Sequence, residues 1–273
     1  MSWLLGALIV WMLARTDVAM SAASDACRLF VTCVMPGLLP YMVVSQLLIS
    51  RIRRPVSPSL IILLGWGGGS PTGATLLHSA GDAPLRVRRR IAVTCATMSP
   101  MFLLGTLGQW LNSRMASLCI FIAVLLGGYA AGRLCGRITG GRIPVSGKVL
   151  SFGQAVEATA RTLLIVCGTM AVLRMTAALI ADVLPRHAAV MLPVTTLLEV
   201  TTGAQQIAAL PLPLPLRTAL LAAATGFGGV SIILQNQALL PENTLSLASQ
   251  LLWQLLHAVV SFLLAYGLAY FLL

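Results

Sequence analysis

The sequence has little charge and almost no lysine. Of 273 residues only 9 % are charged; seven are acidic, and the eighteen basic residues are seventeen arginines and one lysine, Lys148. A soluble domain carries about 25 % charged residues, and so few charges cannot coat a compact chain of this length. Apolar residues make up 58 % and the mean hydropathy is +0.92. Soluble domains are thereby excluded. The natural solvent for most of this surface is lipid, and the composition predicts a polytopic membrane protein.

Catalytic and metal-binding patterns are also missing. No GxSxG or HExxH occurs, and the glycine runs lack GxGxxG spacing. Gly141…Gly147-Lys148-Val149 resembles a phosphate loop but has five intervening residues and no Ser or Thr after the lysine. His78, His187 and His257 are scattered without metal-ligand spacing. The six cysteines (Cys27, Cys33, Cys95, Cys119, Cys135, Cys167) contain no CxxC pair and lie mostly in apolar runs, as small buried hydrophobes do. The expectation is a protein that is not an enzyme, with no cofactor and no metal. The net charge of +11 does not indicate nucleic acid, which needs bases interleaved with aromatics on a solvated face. Here the bases sit in short breaks between apolar runs, as in cytoplasmic loops.

Nine apolar runs approach the ~20 residues that a bilayer requires: residues 2–14, 27–49, 59–77, 91–111, 117–132, 158–181, 188–210, 218–239 and 245–273. The first is short and is followed by Ser21-Ala22-Ala23, like a signal sequence, but no basic segment precedes it, so a retained first helix is predicted. Two runs do not read as simple helices. Residues 59–77 are interrupted by Gly65-Trp66-Gly67-Gly68-Gly69-Ser70-Pro71-Thr72-Gly73, and residues 188–210 hold Pro193, Glu199 and Gly203. Glycine and proline break helices, and freed backbone at membrane depth is tolerated only where protein or a watery cavity covers it.

A shift of 130 residues lays these two segments over each other, with Thr72-Gly73-Ala74 on Thr202-Gly203-Ala204. The same shift pairs the segments around them in order. The predicted architecture is an all-α polytopic membrane protein with two inverted repeats. Each repeat has three spans and a broken or re-entrant hairpin, and an N-terminal helix precedes them. The boundaries read as 1–26 for the N-terminal helix and loop, 27–135 for the first repeat with its hairpin at 59–77, 136–156 for a cytoplasmic linker, and 157–273 for the second repeat with its hairpin at 188–210. The positive-inside rule does not choose between hairpins and full crossings, since either arrangement puts eleven bases inside and five outside. Both keep Arg86–Arg90 and the Arg133–Lys148 connection cytoplasmic.

Paired interrupted segments point to a transporter's binding site. The candidate solute-binding residues are therefore Ser70, Thr72 and Gly73 at the first break and Glu199, Thr202, Gly203 and Gln205 at the second. Thr97 and Ser99, and Gly228, Ser231 and Asn236, join them from the helices that follow. Glu199 could carry a coupling proton or cation, neutralise Arg174, or tie down hairpin amides. Arg174 could bind a substrate carboxylate or extend to the membrane interface. Gly128, Gly132 and Gly136, at every fourth position, predict close helix contact, within the monomer or in a homo-oligomer.

Five stretches carry a family resemblance: Pro36-Gly37-Leu38-Leu39-Pro40-Tyr41, Ser70-Pro71-Thr72-Gly73-Ala74, Ser99-Pro100-Met101-Phe102, Leu198-Glu199-Val200-Thr201-Thr202-Gly203 and Gly226-Phe227-Gly228-Gly229-Val230-Ser231. In this order they resemble the sporulation integral membrane protein YlbJ family, among the nucleoside-recognition Gate domain proteins. The chain departs from that pattern at Ser70 (usually Tyr), Thr75 (usually Lys) and Ala96-Thr97-Met98-Ser99-Pro100 (usually Asn-Thr-Ser-Gly-Pro). The resemblance implies a multi-pass protein of the cell membrane, or of a forespore membrane, that moves dipicolinate during endospore formation. The expected partners are a small-molecule solute and the lipid bilayer. A sporulation scaffold and a nucleoside-type carrier, the latter using Tyr41, Trp66, Gln205 and Asn236, are the alternatives.

Overall fold

A computed structural model describes residues 2–52, 54–79, 83–136, 141–144, 149–184 and 188–273. Arg53, Arg137, Lys148 and His187, which entered the charge and motif readings, lie outside the described residues, as do residues 137–140 and 145–148 of the proposed linker. The described chain is helical, with no strand and one isolated bridge between Val56 and Ile143.

In chain order the helices are α1 (Ser2–Ala14), α2 (Thr16–Leu29), α3 (Met35–Arg51), α4 (Pro58–Gly68), α5 (Ser70–Ser79), α6 (Leu85–Thr94) and α7 (Leu107–Leu111). These are followed by α8 (Arg114–Cys135), α9 (Phe152–Val183), α10 (Ala188–Leu198), α11 (Val200–Ala208), α12 (Leu214–Phe227), α13 (Gly229–Leu239) and α14 (Leu247–Leu272). Among the described residues five stretches are long and apolar enough to cross a membrane: Thr16–Arg51, Arg114–Cys135, Phe152–Val183, Leu214–Leu239 and Leu247–Leu272. This is the pattern of a multi-pass membrane protein.

The first of these stretches differs from the expected loop before residue 27. Helix α2 already starts at Thr16 and runs into α3 through a π-helical turn, Phe30–Val34. Its polar residues hid it from a search for apolar runs. It is amphipathic, and Ala19, Ala22 and Ala26 are its buried positions. The wider π turn directly precedes Pro36, which has no N–H to give to the preceding turn. The long helix runs antiparallel to α9: Ala19 and Ala22 pack with Met175 and Leu179 at one end. Phe30, Val34, Leu38 and Met42 meet Leu163, Val166 and Met170 in the middle. At the other end Gln46 Nε2 donates to Thr159 Oγ1 at 3.3 Å.

Among the described residues four helices are interrupted, two more than the glycine and proline runs indicated. Besides the α4–α5 and α10–α11 breaks, the chain leaves helical geometry after Thr94, to resume in a π-helical stretch, Met101–Thr106. It also turns at Gly228 between α12 and α13. The boundaries recur at the shift of 130. Pro58–Gly68 falls on Ala188–Leu198, and the first residue of α5, Ser70, falls on Val200, the first of α11.

Helices α8, α12 and α14 pack around one apolar core with Phe102, Leu103 and Leu107. A second core gathers Val56, just before α4, and Ala83, just before α6, with Ile143, Val87 and Leu245. The glycines of α8 make their close contacts inside the chain. A Cβ on Gly128 would lie 3.1 Å from the Thr94 carbonyl oxygen, and one on Gly132 would lie 3.1 Å from that of Arg90.

Candidate functional site

Each break has its own local cause. At Gly69 the backbone takes φ +76°, and a Cβ there would sit 2.7 Å from the Ser99 amide nitrogen. Both facts demand glycine. The break after Thr94 supplies a free carbonyl, and the Ser70 amide donates to the Thr97 oxygen at 2.7 Å. Ser99 Oγ accepts from the Phe102 amide at 3.3 Å where the chain turns helical again.

In the C-terminal half, Glu199 is the N-cap of α11 and is fully buried. Its two carboxylate oxygens accept from the Thr201 amide (2.9 Å) and the Thr202 amide (2.7 Å). Amides of a first helical turn lack partners within the helix, and a carboxylate meets both their hydrogen-bonding need and the positive end of the helix dipole. Gly228 and Gly229 have φ of +76° and +69°. A Cβ on Gly229 would lie 3.1 Å from the carbonyl oxygens of Thr196 and Leu197. Thus the α4–α5 break packs on the break after Thr94, and the α10–α11 break on that at Gly228.

The four breaks border one small cavity of about 30 Å³. Ser70, Thr97, Ser99, Glu199, Thr201, Ser231 and Gln235 supply its polar wall, and Val34, Leu38, Phe102, Val166 and Met170 its apolar wall. That space holds a water or two. The starts of α5, α11 and α13 lie beside it, through Ser70, Thr201 and Ser231, and Glu199 caps α11 there. Both π-helical stretches touch it too, through Val34 and Phe102.

The candidate residues therefore separate. Ser70, Thr97, Ser99, Glu199 and Ser231 line the cavity. Asn236 reaches it through Ser70, whose Oγ donates to Asn236 Oδ1 at 2.5 Å. Gly73 and Gly203 serve close packing instead, against Cys95 and Thr196. Thr72 is buried with its hydroxyl unpartnered, and Gly228 forms a turn. Neither is in the cavity wall.

Thr202, Gln205 and Arg174 line a different space, a polar vestibule of about 400 Å³ shared with Asp25, Arg28, Thr32 and Trp110. Because Thr201 lines the cavity and Thr202 the vestibule, one peptide step separates the two. Arg174 and Glu199 form no ion pair. The ion pairs among the described residues join Arg15 to Asp17 and Asp182, and Glu199 is engaged by α11 instead. The other face of Arg174 borders a pocket of about 420 Å³ with Asp182, Thr195 and Gln206.

Asp25 and Arg28 escaped the sequence reading because Asp25 precedes the apolar run 27–49 and Arg28 is only its second residue, away from the two breaks on which the candidate site was placed. Two nucleoside-contact candidates make their contacts within the protein: Trp66 Nε1 donates to the Thr94 oxygen at 2.9 Å, and Tyr41 lies against Gly67 and Gly68. No protein-family model, curated protein or solved structure matches this chain.

Proposed function

We propose that this chain is a membrane transporter of a small anionic solute, built as an inverted repeat whose α4–α5 and α10–α11 segments re-enter the bilayer. One observation carries the reading: four helix breaks line a single cavity that adjoins a vestibule holding Arg28 and Arg174. Unwound backbone at membrane depth belongs where it lines a cavity, and paired interrupted helices are the recurrent form of a transporter's binding site.

The repeat is supported by the matching boundaries at a shift of 130 and by the antiparallel course of Thr16–Arg51 and α9, as inversion requires. Re-entry is supported by the meeting of Val56 and Ala83 in one apolar cluster with Ile143, at the end where Arg51, Arg54, Arg86, Arg89 and Arg142 are gathered in sequence. The positive-inside rule makes that end cytoplasmic.

Two arginines in the vestibule suit a carboxylate. The resemblance to the YlbJ family makes dipicolinate, a ring bearing two carboxylates, the first solute to test. At about 400 Å³ the vestibule is of ligand size. The cavity at about 30 Å³ is not, so passage requires the breaks to part. A sporulation scaffold is the second reading, and the narrowness of that cavity is the observation in its favour.

The test is uptake of labelled dipicolinate by the full chain reconstituted in liposomes. Wild type is expected to accumulate it, and Arg174→Gln and Thr202→Val are each expected to reduce uptake at least tenfold with normal insertion. Unchanged uptake in both variants rejects the vestibule as the entry, and a wild type that moves no dipicolinate rejects the solute. Thiol labelling of the exposed positions in Ser57→Cys and Pro84→Cys is expected from one side of the membrane. Labelling from opposite sides rules out re-entry.

A further inference from the structure

The inward face of α14 is polar. Gln250, Gln254, His257 and Ser261 are each 2 % exposed or less, and their spacing sets them on one helix face. Such a stripe is costly inside a membrane protein and marks function by default. His257 Nε2 lies 2.8 Å from the Val124 carbonyl oxygen. A carbonyl only accepts, so Nε2 carries the proton and the neutral ring presents Nδ1 as a bare lone pair.

That Nδ1 is buried without a partner among the described residues. So are Thr94 Oγ1, Thr97 Oγ1, Gln250 Nε2 and both amide atoms of Gln254. His257, Gln254 and Gln250 border a cavity of about 10 Å³, close to the space of one water. A Cβ on Gly128 would lie 3.3 Å from His257 Cε1 and 3.2 Å from Thr97 Cγ2, so His257 and Thr97 flank the same glycine.

The polar groups form a file with two ends. Its inner end is Thr97, a wall residue of the central cavity. Its outer end is the exposed Gln237, whose Nε2 donates to Gln250 Oε1 at 2.9 Å and to the Leu245 oxygen at 3.1 Å.

We propose that His257 carries protons between the surface at Gln237 and the central cavity, coupling solute movement to a proton gradient; this rests on the transport reading above. Nδ1 of the neutral ring accepts a proton arriving past Gln250 and Gln254, giving the imidazolium, and releases it toward Thr97, restoring the neutral ring. Among the described residues no carboxylate faces the ring. α6, α8, α12, α13 and α14 contain no Asp or Glu. α6 carries Arg86, Arg88, Arg89 and Arg90, the last over the Tyr129 ring, and α8 carries Arg114, Cys119, Tyr129, Arg133 and Cys135. α13 carries no titratable group, α14 carries Tyr266 and Tyr270 besides His257, and Arg217 of α12 is bonded to the Ala208 oxygen. With no counter-charge beside it the buried imidazolium is costly, so the ring gives its proton up readily once it has taken it. An alkali cation would seek a shell of oxygens, which an imidazole nitrogen does not provide.

The test uses the full chain in liposomes loaded with a pH-sensitive dye, with dipicolinate as probe. Wild type is expected to show a dipicolinate-evoked pH change. His257→Gln, which keeps a donor for Val124, is expected to lose at least tenfold of that signal while dipicolinate exchange stays within about twofold. Gln254→Leu is expected to do the same without touching the ring. A full dye signal in both variants overturns the proposal, as does a wild type that moves dipicolinate in response to sodium alone. A second measurement is independent of the solute: nitrogen NMR of histidine-labelled protein in lipid. It is expected to show a ring, absent from His257→Gln, that passes from the Nε2–H neutral form to the cation as pH falls. A ring locked neutral throughout overturns the proposal even if dipicolinate is not the cargo, whereas a titrating ring without dipicolinate movement rejects only the solute.

Discussion

Ser70 on α5 donates from Oγ to Oδ1 of Asn236 on α13 at 2.5 Å, joining two buried residues 166 positions apart. The bond ties the start of α5, at the first break, to the last interrupted helix, beside the central cavity. Ser70→Ala leaves a buried amide oxygen without its donor, at a cost of about 1–3 kcal/mol. Asn236→Ala is expected to cost a similar amount, and the double variant less than their sum. Thermal unfolding in detergent across this cycle checks the coupling; strict additivity would refute it.

Gly69 is held by both conformation and space, and Gly168 by neither. The first has φ +76° and the Ser99 amide against it, whereas the second has nothing within 4 Å. Gly69→Ala is expected to destabilise the protein by more than about 1 kcal/mol, the usual scale of backbone strain. Gly168→Ala, inside α9, is expected to be neutral or to stabilise by about 0.5–1 kcal/mol. Melting temperatures of the pair in the same detergent decide it.

Glu199 caps α11 with both oxygens, so its variants are expected to rank in order. Glu199→Gln keeps one acceptor, and Glu199→Ala leaves the Thr201 and Thr202 amides buried and unpaired. The penalties are about 1–3 kcal/mol per orphaned amide, with alanine the worse. Equal melting temperatures for wild type and Glu199→Ala would show that the cap contributes nothing.

Cys27 and Cys167 bring their sulfurs to 4.0 Å across the α2–α9 contact, a small adjustment from bonding distance. Mild oxidation with copper phenanthroline is expected to join them, giving one linked peptide pair by mass spectrometry. Cys27→Ser is expected to abolish that pair, and Cys95→Ser to leave it intact. Failure of wild type to cross-link would contradict the antiparallel register of these helices.

The breaks were legible in proportion to how loudly glycine and proline announced them. The run from Gly65 to Gly73 marked the α4–α5 break, and Pro193, Glu199 and Gly203 the α10–α11 break. The interruptions after Thr94 and at Gly228 fell inside apolar runs that hydropathy reads as continuous, since hydropathy records the solvent a segment prefers and not whether its hydrogen-bond ladder is whole. Asp25 and Arg28 were missed for a related reason: they lie on the amphipathic α2, where charge lowers the apolar signal while small alanines pack on α9.

Composition alone determined the solvent. So few charges on so apolar a chain cannot be wetted, and its longest apolar stretches are helices of membrane length. The pattern of small and helix-breaking residues determined where two of the four helices stop. Only the tertiary structure decided which polar groups share a space, because spacing along a chain carries no information about contacts between helices a hundred or more residues apart. It set Ser70 on Asn236, gave Glu199 to the amides of α11 and not to Arg174, and divided one expected cluster between a cavity and a vestibule.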